Sequence, residues 1–407
     1  MDVTFPNIRH LRAFCEVARC KGVSAAADRI HLSQPAVTQA IGKLEDDLGI
    51  ALFERRPDGM YLTVPGRMMF ERVERALQHL SNGTEQACRV ASRQSERGLA
   101  GFDSQVTASQ LKALAAIDNA RSFSVAARSL GISQPTIHRA ARDLEKLSGL
   151  RLFRVTGRGL ELTQPAELFT LHVKLASAEL QQGRFEVSDY KGRDSTKITI
   201  GSMPLARPSI LPTAIDSMLR EKALIQILTV EGPYPELLRG LRLGEIDFLI
   251  GALRRPLPAE DVIQEKLFNA PLSVIVRKGH PLTGRERVSL EDTLDFPWIA
   301  PPKPTPAGTY LTEVLHIAEM KNTPVRAVSS SQVLVRGLLL LGDYVTILSR
   351  RQIELELEQG LLVALPVDLP DIDRPIGLTF RKSWTPTRTQ ARFLMLLRQA
   401  CATEEAD

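Results

Sequence analysis

Aromatic residues make up only 5% of this 407-residue chain, and it has two tryptophans and four cysteines. Cys15, Cys20, Cys88 and Cys401 are too few for a disulfide framework in so long a chain, and no pair has metal-ligand spacing. They read as reduced packing thiols. His10, His31, His79, His138, His172, His280 and His316 are scattered, with no HxxxH or HxH among them. A Gly-rich phosphate loop is missing, as is a Ser-His-Asp arrangement at useful spacing. No metal site, cofactor or catalytic residue is therefore expected, which disfavours an enzyme. No apolar run approaches the roughly 20 residues of a membrane helix. The start, MDVTFPNIRHLRAF, lacks a basic region followed by an apolar core, so no signal peptide is expected and the chain is expected to be cytoplasmic. What is present is ordinary for globular domains, with 43% hydrophobic and 24% charged residues. The length suits two to four domains. A net charge of +5 suits nucleic acid only if it is concentrated locally.

The most informative stretch is Ser24 to Gly66, SAAADRIHLSQPAVTQAIGKLEDDLGIALFERRPDGMYLTVPG. Ser24 to His31 predicts a short helix with Ala26, Ala27 and Ile30 inward. Ser33 can cap a second helix through its hydroxyl. Pro35 is tolerated in that helix's first turn, where an N–H has no intrahelical partner. Val37, Ile41, Leu44 and Leu48 form a one-sided apolar stripe. That leaves Gln34, Thr38, Gln39 and Lys43 outward. Two short helices with small residues at their crossing make a helix-turn-helix whose second helix fits a major groove. Gln34 and Gln39 can donate to and accept from base edges. LFERRPDGMYLT predicts strand, turn, strand: a wing with Arg55 and Arg56 at its base for phosphates.

The pattern AA…LSQPAVTQAI.KLE..LG..LFER….LT..G resembles the winged helix-turn-helix of LysR-type transcriptional regulators. Ahead of it, Ile8 to Ala18 predicts a first helix with Ile8, Leu11, Phe14 and Val17 on one face. After it, Met69 or Phe70, then Val73, Leu77 and Leu80 follow at near-heptad spacing. This resembles the linker helix through which the family dimerises; a helix packed on its own domain is the alternative. Asn82-Gly83 signals a break, and Arg93 to Ser104 reads as a polar linker.

The pattern then begins again. A shift of 100 residues superposes Ala26-Ala27 on Ala126-Ala127, Ser33-Gln34-Pro35 on Ser133-Gln134-Pro135, Leu44-Glu45 on Leu144-Glu145 and Leu52-Phe53 on Leu152-Phe153. This is an internal repeat of a whole domain, and it departs from the single head of the ordinary family pattern. The second head differs where contacts would fall. His138, Arg139 and Arg142 replace Thr38, Gln39 and Gly42, and Val155 replaces Arg55; Arg154 and Arg158 are the candidate substitutes. Arg139 can read guanine bidentately, while His138 also reads as a surface residue at a phosphate. The second head either binds DNA with altered preference or is purely structural. DNA binding is favoured because polar and basic residues survive on its outward face. Pro165 to Gln182 repeats the linker helix, and Gly183 to Ser195 reads as a polar hinge. Met69–Ala91 is expected to pack on Leu168–Leu180 within one chain. Pairing with equivalent helices of a second chain is the rival.

From Lys197 short β-branched runs alternate with helical ones: KITIGSMP, ILPTAIDSML, LIQILTVEGP, ELLRGLRLGE and IDFLIGAL lead the series. The alternation implies a parallel sheet covered on both faces. Leu211-Pro212, Val230-Glu231-Gly232, the run Leu243 to Asp247, His280-Pro281-Leu282 and the run Gly342 to Val345 resemble the LysR-type effector-binding domain. That resemblance implies two α/β lobes of the periplasmic-binding-protein type (type 2), with crossings near Phe268 and Leu361. Ligands of open α/β sheets bind beyond the carboxyl ends of the strands. Those ends nominate Ser202, Met203, Pro204, Glu231, Gly232, Gly251, Leu253, Pro301, Ser331 and Val345. Ser202 and Ser331 can donate hydrogen bonds to a small carboxylate, although each also reads as a helix cap, and Met203 and Leu253 read equally well as core.

The expected chain is thus multidomain: two mostly helical winged helix-turn-helix domains at 1–66 and 104–164, and an effector domain at 196–407. A linker helix and linker fill 67–103, and a second linker helix and hinge fill 165–195. Lobe 1 is about 196–268 with 362–400, and lobe 2 about 269–361. The expected function is a ligand-responsive bacterial regulator that senses a small, anionic metabolite. Its expected partners are a double-stranded DNA operator, the effector, further copies of itself and, by resemblance, RNA polymerase. The alternatives are an enzyme or carrier on the two-lobe fold, and an architectural DNA-binding protein without an effector.

Overall fold

A computed structural model describes residues 3–93, 98–157, 159–370 and 374–402. The chain divides into two units. The first is Met1–Ile198 with Leu224–Gln226 and Arg242–Glu245, and the second is the remainder.

In the first unit, helix α1 (Ile8–Cys20) starts at Asn7, whose side chain accepts a hydrogen bond from Arg9 N. Helix α2 (Val23–Ile30) crosses it through the buried Ala26 and Ala27. Helix α3 (Gln34–Leu48) is capped by Ser33, holds Pro35 in its first turn and ends at the left-handed Gly49. Its buried residues are Val37, Ala40, Ile41 and Leu44. Strands β1 (Phe53–Arg56) and β2 (Gly59–Leu62) pair antiparallel. The Glu45 carboxylate fixes hairpin to helix, accepting from Leu52 N at 2.7 Å and Phe53 N at 3.2 Å. After helix α4 (Val64–Arg93) the same succession returns as α5 (Ala108–Ala120), α6 (Phe123–Ser129), α7 (Gln134–Ser148), β3 (Phe153–Thr156) and β4 (Gly159–Leu162). Here Glu145 accepts from Leu152 N at 2.8 Å and Phe153 N at 3.3 Å.

Helix α4 packs along helix α8 (Gln164–Tyr190) within the chain. Both glycines read as interruptions lie inside these helices: Gly83 in α4 and Gly183 in α8. The break at Asn82-Gly83 and the hinge beginning at Gly183 are thus corrected. The reason is close approach. A Cβ on Gly83 would stand 2.7 Å from His172 Cβ, and one on Gly183 would stand 3.0 Å from Met69 Sδ and 3.1 Å from Arg72 Cβ. Under the 100-residue shift Gly83 corresponds to Gly183, Met69 to Phe169 and Arg72 to His172, so the crossing is pseudo-two-fold. At one end Arg72, 1% exposed, reaches Glu179 (3.1 Å), Gln182 (2.5 Å) and Glu186 (2.5 Å). At the other, His172 Nδ1 lies 3.4 Å from His79 Nδ1. The stretch read as a polar linker ends in a docked 3-10 turn, Phe102–Ser104. Phe102 is buried edge-on to Phe169 at 4.9 Å, and Arg12 pairs with Asp103 at 2.9 Å. Cys15 is buried and its thiol is pushed up to about 12 by burial, consistent with packing rather than reactivity.

The second unit carries two five-stranded sheets. Strands β5 (Lys197–Ser202), β6 (Gln226–Val230), β7 (Phe248–Ala252), β8 (Val262–Asn269) and β14 (Pro375–Arg381) form one, in the order β6-β5-β7-β14-β8. Strands β9 (Leu272–Arg277), β10 (Trp298–Ala300), β11 (Val325–Val328), β12 (Val345–Ser349) and β13 (Leu362–Ala364) form the other, in the order β11-β10-β12-β9-β13. Helices α9 (Ile210–Glu221), α10 (Tyr234–Arg242), α11 (Pro306–Thr309), α12 (Gln332–Leu341), α13 (Glu354–Glu358) and α14 (Arg388–Ala402) connect and cover the strands.

Each sheet is mixed, not wholly parallel: β14 runs antiparallel to β7 and β8, and β9 antiparallel to β12 and β13. The strands that enter after each crossing run opposite to those laid down by the strand–helix–strand units. Strand β8 was not anticipated, because VIQEKLFN carries charged and amide residues between its apolar ones. The return crossing falls after β13, not near Leu361, because Leu362 pairs with Arg277 in the second sheet. Residues 362–364 therefore belong to the second sheet.

Two outcomes are expected. Alanine gains about 1 kcal/mol over glycine inside a helix. Both Gly83→Ala and Gly183→Ala should nevertheless lower the melting temperature, Gly83→Ala the more, because the His172 Cβ stands at 2.7 Å and cannot retreat, while the Arg72 Cβ stands at 3.1 Å on a side chain held by Glu179, Gln182 and Glu186. His172 is held down to about 4 by burial first and by the neighbouring His79 second. The unfolded state binds more protons between about pH 6.5 and 4, so stability is complete above the unfolded value and falls as pH drops through that window, by up to about 3 kcal/mol. Denaturant titrations should show this slope, and His172→Asn should flatten it.

Candidate functional site

On α3 the side chains of Gln34, Pro35, Thr38, Gln39 and Lys43 are exposed. Gln34, Pro35, Thr38 and Gln39 join Val23, Arg55 and Met60 in lining one open concavity of about 660 Å³ between the helix and the hairpin. Thr38 and Gln39 form no hydrogen bond among the described residues, so their polar groups are available. Gln34 donates to Ser24 Oγ at 3.1 Å, which fixes its amide. Ser33 is used as the cap, its hydroxyl accepting from Ala36 N. Arg55 and Arg56 stand at the outer end of β1 beside the turn, not at the base of the wing. They also separate in role. Arg55 lines the concavity, whereas Arg56 is paired with Glu54 and lies over the Tyr61 ring at 4.8 Å.

The second head presents a different surface. Gln134, Pro135, Arg139 and Arg142 are exposed, and Ser133 again caps its helix. Phe123 occupies the place of Val23, and its ring stacks on His138 at 3.9 Å and meets Phe153 at 5.8 Å. Leu160, at the position of Met60, is 8% exposed. Large rings thus occupy positions whose counterparts line the concavity of the first head. Arg154 is paired with Glu161 at 3.0 Å, and Val155 is 82% exposed. Arg158 lies outside the described residues.

Of the strand-end candidates, Ser202, Met203, Gly251 and Leu253 gather at the carboxyl ends of β5 and β7. Met203 N donates to Ile250 O, and Met203 lies where a Gly251 side chain would stand. Pro204 opens a 3-10 turn, Pro204–Ala206, that lies beside the turn Arg350–Gln352 of the other lobe. Two expectations need correction, those for Ser202 and Val345. Ser202 is 1% exposed, and its hydroxyl accepts from Arg207 Nε at 3.2 Å, so it lies buried beneath that arginine and is not open to a ligand. Val345 is fully buried opposite Trp298 and is core. Of the two readings open for Ser331, the structure shows the cap of α12, its hydroxyl accepting from Leu334 N at 3.3 Å. Pro301 follows β10 in that lobe, and its carbonyl stands against Gly308. Glu231 pairs with Arg207 at 3.0 Å; alone, its carboxylate would repel an anionic ligand. Gly232 follows it, beside Glu236.

The strand-end rule passes over the side chains that carry most of the charge here. Arg207 follows β5, Tyr234 opens α10 after β6, Arg254 follows β7, and Arg374 precedes β14. The Arg254 guanidinium lies over the Tyr234 ring at 4.4 Å. Burial lowers the affinity of Arg207 and Arg254 for their protons, and burial and then Arg254 bring Arg374 down to about 10. Two signals were legible: a basic pair, Arg254-Arg255, directly after a strand, and an arginine before the last one. Arg374 escapes a rule confined to strand ends, because an antiparallel strand brings its beginning to the same edge.

The comparisons identify the family. The family model described as "LysR substrate binding domain" matches residues 191–402, and that described as "Bacterial regulatory helix-turn-helix protein, lysR family" matches 8–67 and 108–167. The HTH-type transcriptional regulator GalR of Pseudomonas putida is 31% identical over 412 residues, covering 100% of both chains. PcaQ of Agrobacterium fabrum is 26% identical over 298 residues, covering 73% of this chain and 96% of its own. A full-length OxyR from Pseudomonas aeruginosa, solved as a cysteine-to-aspartate variant, shares the fold, with TM-score 0.51 and 21% identity over 72% of this chain and 96% of that one. The chain belongs to the LysR family of DNA-binding transcriptional regulators, which are not enzymes. No described helix is long and apolar enough to cross a membrane.

If α3 reads bases, Gln39→Ala should relax preference at one base step at a cost of about 1–3 kcal/mol. Arg55→Ala should weaken binding to all sequences and reduce the salt slope by about 1. Fluorescence anisotropy across a salt series and a base-substitution series separates the two.

Proposed function

We propose that this LysR-type regulator carries two winged helix-turn-helix heads joined as a covalent pseudo-dimer, and that they read an asymmetric operator. The observation that carries this reading is the pseudo-two-fold packing of α4 on α8 through Gly83 and Gly183. Two matches to the lysR helix-turn-helix family, 100 residues apart, support it, as does a relative aligned over the whole chain. In the first head Gln34, Pro35, Thr38 and Gln39 contact bases, while Arg55 and Lys43 meet phosphate. In the second, Arg139 reads a base and Arg142 meets backbone, with His138 held back by Phe123.

The second unit has the two-lobe, periplasmic-binding-protein type 2 arrangement and senses a small anionic metabolite between its lobes. The protein acts in the cytoplasm, and its further partners are other copies of itself and RNA polymerase.

The pseudo-dimer is tested by placing cysteines at His79 and His172, whose rings already touch. Oxidation should give a cross-link within one chain, read as faster migration at monomer mass on a non-reducing gel. Cross-links formed only between chains would exclude it. Asymmetric reading is tested by converting the second head toward the first with His138→Thr, Arg139→Gln and Val155→Arg. The selected site should then become more nearly palindromic, and an unchanged site would show that these residues do not set the preference.

A further inference from the structure

We propose that Arg254, Arg374 and Tyr234 form an oxyanion clamp at the strand ends of the second unit, built for the carboxylate of a small molecule. The proposal rests on the reading of this unit as an effector domain and names the groups that hold the ligand's charge. Strands β7 and β14 are antiparallel, with Ile376 opposite Ala252, and Leu253 N donates to Pro375 O at 2.9 Å. Arg374 therefore lies across the strand pair from Leu253 and Arg254, where their charges repel.

No carboxylate among the described residues neutralises either arginine. Glu231, at the end of β6, is taken by Arg207 at 3.0 Å. The Arg374 Nε atom is buried without a hydrogen-bond partner, and Nη1 reaches only Gln352 Oε1 at 3.5 Å. The Tyr234 hydroxyl is likewise buried, with the Arg254 guanidinium beside it and no acceptor for its own proton. Two desolvated like charges and two unsatisfied donors in one place disfavour the empty site. A carboxylate resolves both, since a guanidinium fork offers it two parallel hydrogen bonds. Arg374 also touches Gln352 of the other lobe, so a ligand held here sits where the lobes meet.

The test is thermal unfolding of the full-length protein with sodium benzoate, disodium succinate, sodium phosphate or sodium sulfate, each against sodium chloride at equal ionic strength. At least one carboxylate should raise the melting temperature saturably, and Arg254→Gln and Arg374→Gln should each abolish that shift. Without ligand, Arg374→Met should raise the melting temperature, because it removes an unpaired buried cation; a merely structural arginine would lower it. Shifts from phosphate and sulfate alone would overturn the carboxylate assignment. No shift from any probe, or a lower melting temperature for ligand-free Arg374→Met, would overturn the clamp. Leu253→Trp, which crowds the same strand ends, separates the two readings. A shift lost in Leu253→Trp but kept in both arginine variants removes the clamp and leaves the cleft as the site. A shift kept in all three variants removes both.

Discussion

The first unit depends on how closely α4 and α8 can approach. Two helices pack with backbones in near contact only where one of them presents no side chain, and here each helix supplies one such position, Gly83 against His172 and Phe169, Gly183 against Met69 and Arg72. The repeat makes these positions equivalent, so a single solution is used twice around a pseudo-two-fold axis. The symmetry then breaks where Arg72 corresponds to His172 under the shift. One end of the crossing is closed by a buried guanidinium among Glu179, Gln182 and Glu186, and the other by His172, which burial keeps from taking up a proton, beside His79. Removing the guanidinium would leave buried carboxylates short of charge, whereas the histidine end tolerates only the unprotonated state.

The same duplication carries the two heads apart in surface while holding them alike in core. Glu45 and Glu145 perform one task, tying the helix to the hairpin through the same two amides. Around them the outward residues have diverged. A single change from the Val23 position to Phe123 brings an aromatic ring onto His138 and withdraws that residue from solvent, while Arg139 and Arg142 remain outward. Divergence at constant scaffold is what an asymmetric pair of DNA-reading surfaces requires.

In the second unit the polarity of the strand ends is set by pairing more than by composition. A lone carboxylate at Glu231 would repel an anion, but Arg207 stands beside it and pairs with it at 3.0 Å. Ser202 reads as a donor, but the same arginine bonds both its hydroxyl and its carbonyl. What remains uncompensated is the pair Arg254 and Arg374, brought together by an antiparallel strand from the far end of the chain.

The sequence by itself determined the local elements of the heads, the family and the repeat, because caps, turn residues and apolar stripes act over a few residues and leave a readable period. Ser33 and Pro35 mark the start of their helix in the structure as they do in the sequence. It also determined that strands and helices alternate beyond Lys197. Tertiary structure alone decided what Gly83 and Gly183 are for, since a glycine that breaks a helix and one that admits a neighbouring helix are identical in a sequence. It alone decided that Phe102 docks, that β8 forms on the edge of its sheet, and that the second crossing waits for β13. It also decided the fates of Ser202, Ser331 and Val345, because whether a hydroxyl is free or a valine exposed depends on partners far away in sequence. Burial and charge pairing are sums over neighbours, and the neighbours are fixed only once the chain has folded.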